Sequence, residues 1–521
     1  MIGFLTYLVK ANGAFPAAEY IRITMQLTHA KIVPHTEQLT AESAELHTNL
    51  VIVLGSTSAL AKLPFGGLLR ERMRVHGYEL GSDSSFVTDL PNRFGTRVAV
   101  VLVDNNADAF KRLSVARSLI ATHAQAEKLA VAAIGMPARE AMLEALVAAA
   151  LAATFPLPDY RSKPDKRRLL RELHVYGTER PDFARTLAEA KGNNLARFLT
   201  ALPTNTLTPR AYRERVEKIA QACGWRARFS GVKRLASRGA GAFLAVARGS
   251  PERDAGILHL RYSPKGKPRA TLALVGKGIC YDTGGTNLKS AKGMYGMHED
   301  MAGSAAALGT LFALAQLHVD FTVDCWLALA QNHIGPDAYK PNEVVTAANG
   351  TSIEIVHTDA EGRMVLADTL HFAAAERPTL LIDFATLTGA CVNALSSRYG
   401  GAFTNRPQLM EKLIGAGQAT GERIWPFPMD NDFEKELKSD IADIKQCTLE
   451  NEADHILAAV FLRRFVGDVD WIHLDLAAAN HKGGLAHIPS DITGFGVRLA
   501  LHLALDAGLL PARAEAKTHR E

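Results

Sequence analysis

Cysteine is scarce: 521 residues contain five, Cys223, Cys280, Cys325, Cys391 and Cys447, with no Cys-x-x-Cys pair. An odd, widely spaced set argues against a disulfide framework or a zinc knuckle, and reduced thiols in a cytoplasmic protein are expected. Long hydrophobic runs are missing too. No uncharged apolar stretch reaches the ~18 residues that a membrane helix needs, and residues 145–155 are too short and alanine-rich. Residues 1–9 are apolar but lack a basic start and a convincing cleavage site, so no signal peptide is expected. A marked excess of charge of one sign is missing as well. A formal charge of +5 is slight for this length, and no basic stripe stands out beyond residues 163–171. Neither nucleic acid nor a membrane is therefore an expected partner.

What is present, 47% hydrophobic and 22% charged residues, suits a soluble globular protein. The length asks for two domains, one of them large. Residues 1–48 show no sustained period and stay unassigned. Strands at 50–54 and 96–103, then helices at 110–126 and 139–153, give a small α/β domain over 49–185. Residues 159–171 are basic and proline-bearing and read as surface connection. A larger domain follows over 186–521. Thr208-Pro209 marks a helix start. Strands are expected at 243–246, 257–262, 271–275, 321–330, 353–356, 379–384 and 471–476, with helices at 302–317 and 364–376. Near-continuous apolar strands alternating with helices mean a mixed, mostly parallel sheet covered on both faces, with sites at strand carboxyl ends.

Acidic residues cluster at such ends. The strand at 271–275 runs into Gly276-Lys277-Gly278-Ile279-Cys280-Tyr281-Asp282-Thr283-Gly284-Gly285, with Lys289 seven residues past Asp282. The Gly-x-x-x-x-Gly-Lys-Ser/Thr spacing of a phosphate loop is absent. His298-Glu299-Asp300 precedes the helix at 302. His357-Thr358-Asp359-Ala360-Glu361-Gly362-Arg363 lies between a β-rich run at 352–356 and a helical one. If the strand period continues past Val356, both carboxylates point to one side, and Gly362 gives the chain room to turn. Each acid has an ordinary reading by itself: Asp282 closing a turn, Asp300 capping a helix, Glu361 in a first helical turn. Together they form a set of hard oxygen ligands for two divalent cations, without which crowded carboxylates repel one another.

Lys277, Asp282, Lys289, Asp300 and the Thr-Asp-Ala-Glu-Gly-Arg core resemble the catalytic pattern of the leucyl aminopeptidase (cytosol aminopeptidase) family. The resemblance covers residues 193–505, including Ala385-Thr386-Leu387-Thr388-Gly389-Ala390 and Thr493-Gly494-Phe495-Gly496-Val497-Arg498. It implies a macro-like N-terminal α/β domain and a two-metal peptidase that removes N-terminal residues from peptides. By position, Asp282 and Glu361 bridge the metals, Lys277 and Asp300 complete the tighter site, and Asp359 completes the more exchangeable one. Zinc or manganese is implied, with magnesium or cobalt as further candidates. Lys289 polarises the scissile carbonyl. Arg363 holds a bicarbonate that serves as general base, contacted by the Leu387 backbone. Met297, His357, Thr386, Leu387 and Gly389 fall at the substrate side. The family usually has asparagine where this chain has His357, so a preference for leucine is not assumed. A homohexamer built as a dimer of trimers is implied as well. The rival readings are a narrow dipeptidase, for instance for cysteinylglycine, and a DNA-binding regulatory role on the same fold.

Overall fold

The computed structural model describes residues 30–81, 84–123, 125–163, 170–450 and 452–512. Residues 1–9 and most of the basic stretch at 163–171 lie outside them.

The chain forms an α/β protein around two main sheets. The first holds six strands, β1 (Lys31–His35), β2 (Asn49–Leu54), β3 (Phe86–Asp89), β4 (Arg97–Leu102), β5 (Lys128–Ile134) and β6 (Glu172–Tyr176). Their order is β1-β6-β5-β2-β4-β3, all parallel except β3. β1 and the short helix Ala41–Ala44 come from the stretch that sequence left unassigned. β1 holds only two aliphatic residues, Ile32 and Val33, before Pro34 and carries no apolar period, so only its pairing with β6 identifies it.

The second sheet contains β7 (Arg226–Gly231), β8 (Gly256–Tyr262), β9 (Thr271–Asp282), β10 (Thr322–Asn332), β13 (Leu380–Ala385), β14 (Gly400–Thr404), β15 (Ile424–Pro426) and β17 (Trp471–Asp475). A small third sheet joins β11 (Val344–Thr346), β12 (Ser352–Glu354) and β16 (Ile444–Lys445). The large sheet runs β15-β14-β17-β13-β9-β10-β8-β7. Its four central strands, β17, β13, β9 and β10, are mutually parallel, so their carboxyl ends share one edge. These strands are buried almost throughout, which explains why they read as continuous apolar runs. Helices Ala184–Thr200, Ala302–Gln316 and Val497–Leu505 pack into the core on one face. Helices Gly241–Ala247, Glu361–Ala375 and Asp454–Arg463 cover the other.

Several expectations shift. The strand expected at 243–246 is the helix Gly241–Ala247. Four apolar residues cannot separate a strand from a buried helix by period, and here Phe243 N–H donates to Asp368 at 2.8 Å on the neighbouring helix. β9 runs on from Val275 to Asp282 through glycines that suggested a loop. Gly276 is there because the Ala302 helix lies against it: an added Cβ would meet Ser304 Cα at 2.4 Å. The strand expected through Val356 ends at Glu354, and the helix expected from 364 begins at Glu361. Pairing of the two carboxylates by strand period is thereby overturned: Asp359 stands in a turn and Glu361 in the first helical turn. The start at Thr208-Pro209 forms as expected, with the Thr208 hydroxyl accepting from Ala211 N–H at 3.2 Å.

Candidate active site

The site forms where β9, β10 and β13 end and the Glu361 helix begins. Lys277 and Asp282 are both on β9, five residues apart, and an unbroken period of two would put them on opposite faces. The pairing with β10 skips a step: Ile279 faces Ala330, and Asp282 faces Asn332. That extra residue on β9 is a bulge, which resets the alternation and turns Asp282 to the side of Lys277.

Lys277 is buried, with 3% of its side chain exposed. Its Nζ lies 2.7 Å from Asp300 Oδ1, 2.8 Å from Glu361 Oε1 and 2.9 Å from the Thr386 carbonyl. Lys289 Nζ lies 2.9 Å from Asp282 Oδ2 and 2.5 Å from Asp359 Oδ1. Asn332, also buried, donates to Asp282 Oδ1 at 2.8 Å and to the Thr358 carbonyl at 3.0 Å. Tyr339 O–H donates to the same carbonyl at 2.7 Å. The Thr358 hydroxyl donates to the Gly284 carbonyl at 2.6 Å and accepts from Asn287 N–H at 2.8 Å. The turn that carries Asp359 is thus pinned on both sides.

Burial pushes Lys277 toward the neutral amine, but the charges of Asp300, Glu361 and Asp282 outweigh it and hold its pKa above the usual lysine value. Lys289 is held up in the same way, burial being outweighed by Asp282, Glu361 and Asp359. The carboxyl groups bear the strain. Burial and the charges of Glu361 and Asp282 push Asp359 up to about 7 against the pull of Lys289. Asp300 is raised by burial, against Lys277, with Glu361 and Asp282 adding to the rise. Four carboxylates face two ammonium groups, an excess of acidic groups in a space buried around Lys277 and open to water on the side of Asp359 and Lys289.

Such a cluster suits divalent cations. One ligand atom each from Asp282, Asp359 and Glu361 falls within 4.8 Å of the others. Asp300 Oδ2 is buried with no hydrogen-bond partner, as a ligand oxygen should be. All the donors except the lysines are hard oxygens, the set that divalent cations such as manganese and magnesium favour and that zinc also accepts. Asp300 is no helix cap: the helix starts at Ala302, and the residue before it is Met301. Gly362 is helical, and an added Cβ would meet Lys277 Cε at 2.7 Å and Leu387 Cδ1 at 2.9 Å. Room for Lys277, not a turn, is what the glycine supplies.

The family model described as "Cytosol aminopeptidase family, catalytic domain" matches residues 194–501. The chain belongs to the cytosol aminopeptidase family. "Probable cytosol aminopeptidase" from Acidovorax sp. (strain JS42) is 39% identical over 375 residues, which are 71% of this chain and 75% of that one. Among solved structures, the bottromycin maturation enzyme BotP in complex with Mn matches with a TM-score of 0.78 and 32% identity, over 87% of this chain and 98% of its own. A tomato leucine aminopeptidase variant matches with a TM-score of 0.80 and 27% identity, over 92% and 99%. The chain is accordingly a hydrolase, a metal-dependent aminopeptidase.

Among the expected substrate-side residues, Thr386 is tied to the cluster, its hydroxyl donating to Asp300 at 2.8 Å. Leu387 N–H donates to Asp475 at 3.0 Å. Met297 stands in the short turn before Asp300, and Gly389 opens the helix Gly389–Leu395. His357 Nδ1 accepts from Asp359 N–H at 3.2 Å. Asn332, Tyr339 and Asn287 escaped sequence reasoning. The one available signal was an asparagine ending an otherwise apolar strand run.

Proposed function

We propose that this chain removes the N-terminal residue from peptides with the help of two divalent cations. The observation that carries the reading is the convergence of Asp282, Asp300, Asp359 and Glu361 around Lys277 and Lys289. In this reading Asp282 and Glu361 would serve both ions, with Lys277 and Asp300 on one side and Asp359 on the other supplying the remaining protein ligands. The ions would polarise the scissile carbonyl and make a nucleophile of water near neutral pH. Lys277 can ligate only as a free amine; taking even an ordinary lysine to below neutrality costs roughly 4 to 5 kcal/mol, the neighbouring carboxylates add to that cost, and metal binding must offset it. Lys289 stays charged and donates to the carbonyl oxygen as negative charge develops there. Burial keeps bulk water from competing for the groups around Lys277. Manganese, the ion named for BotP, is the first to test, followed by zinc.

A homohexamer fits the exposure of large apolar side chains near the site, Tyr295 at 91% and Leu288 at 55%. No helix among the described residues is long and apolar enough to cross a membrane; a cytoplasmic location accords with the free cysteines. Metal analysis of purified protein, with peptidase assays before and after chelation, tests the central reading. Activity that survives complete removal of metal would end it. A panel of aminoacyl amides and dipeptides, cysteinylglycine included, separates a broad aminopeptidase from a narrow dipeptidase.

A further inference from the structure

The resemblance seats a bicarbonate on Arg363, and the surroundings of Arg363 do not suit one. This side chain is 2% exposed and lies two residues past Glu361 on the same helix. Its Nη2 donates to both carboxylate oxygens of Asp454, each at 2.8 Å. Its Nη1 donates to the Gln446 carbonyl at 3.2 Å. Both terminal nitrogens are engaged and Nε alone is left without a partner, so an anion from solution meets a guanidinium that already holds one. Asp454 is not a solvated surface acid, since 15% of its side chain is exposed. It opens the helix Asp454–Arg463 directly after Ala453, whose φ of 52° is left-handed. That conformation is strained for a residue with a Cβ. Asp454 is seated on Arg363, two residues past Glu361, and its helix covers the same face of the sheet as the Glu361 helix.

We infer that Asp454 is the resident anion of this site, a side-chain carboxylate seated on Arg363 in the role that the resemblance gives to bicarbonate. The inference rests on the aminopeptidase reading. In this role Asp454 takes one proton from the attacking water as the water oxygen bonds to the scissile carbonyl carbon. It passes that proton to the leaving amine as the C–N bond breaks, and no other reactant is consumed. Arg363 orients the carboxylate. A tethered base also needs no encounter from solution.

The test follows hydrolysis of an aminoacyl amide by metal-loaded wild type and Asp454→Ala in carbonate-free buffer, with and without added bicarbonate. The wild type should be indifferent to bicarbonate. Asp454→Ala should fall about 100-fold, within the range of a general base, and bicarbonate should restore it by about tenfold or more. Line broadening of carbon-13 bicarbonate reads the seat without turnover: Asp454→Ala should bind it and the wild type should not. Asp454→Gly, which also empties the seat, replaces the alanine variant if that one fails to fold. Stimulation or broadening with the wild type overturns the inference. So does a folded Asp454→Ala or Asp454→Gly that is inactive, binds no bicarbonate and is not restored by it, which marks a structural ion pair. If no form hydrolyses any substrate, the aminopeptidase reading falls, and the carbon-13 measurement still decides who holds the seat.

Discussion

Gly362→Ala puts the smallest possible side chain directly against Lys277. The new Cβ would lie 2.7 Å from Lys277 Cε and 2.8 Å from its Nζ, where ordinary contact begins at 3.4 Å. Lys277 therefore has to retreat by about 0.7 Å, a shift of the size that overpacking forces. It has nowhere to go, because its Nζ is held at 2.7 Å by Asp300, 2.8 Å by Glu361 and 2.9 Å by the Thr386 carbonyl. Overpacking of this kind costs about 1–3 kcal/mol, while alanine in place of a helical glycine returns about 1 kcal/mol. Global stability should change by no more than about 2 kcal/mol. The damage should concentrate on metal binding, where misplacing a ligand or its support typically costs about 10- to 100-fold. Metal content after dialysis against graded chelator, turnover on an aminoacyl amide and urea unfolding measure the three quantities separately. A folded Gly362→Ala protein with wild-type metal affinity and turnover would refute the placement of Lys277 against this helix.

Lys289→Ala should lower turnover by about 10²–10³ with metal content intact, as for removal of one electrostatic donor; loss of metal would instead make Lys289 a support of the shell. His357→Asn should redistribute rates across an aminoacyl panel more than it lowers the best one, and an unchanged profile would take His357 out of the pocket. Glu422 is buried, accepts from Gly496 N–H at 3.0 Å and Leu499 N–H at 2.8 Å through one oxygen, and burial pushes it up to about 7. A raised carboxyl pKa stabilises the fold below about 4.5, and that stability drains as pH rises through about 7. The shift corresponds to about 3 kcal/mol. Glu422→Gln keeps the accepting oxygen, so its unfolding free energy in urea should be flatter than that of the wild type between pH 4.5 and 7. Parallel pH curves would place the missing protons elsewhere.

The parts legible in the sequence were those in which local pattern and tertiary role agree. β9, β10, β13 and β17 announced themselves because strands buried on both faces are apolar throughout. Thr208-Pro209 did so because its cap chemistry is local. The end of β9 was not legible, since its glycines are set by the approach of the Ala302 helix, which no short window contains. The bulge that brings Asp282 round to Lys277 is likewise a property of two strands and cannot be read from one. The acids at 359 and 361 were picked out for a spacing that the structure does not use. They nevertheless converge, because a turn and a helix start bring residues two apart together as readily as a strand does.

Arg363 marks the boundary between the legible and the hidden. Its identity and its place after Glu361 are local facts, and a buried arginine beside such a cluster calls for an anion. What supplies the anion depends on Asp454, 91 residues further along the chain. That residue is positioned by the entry of a second helix into the same face of the sheet, behind a left-handed Ala453. A motif specifies which charges must meet; the sheet and its two covering helices decide which partner comes from the chain and which from solution.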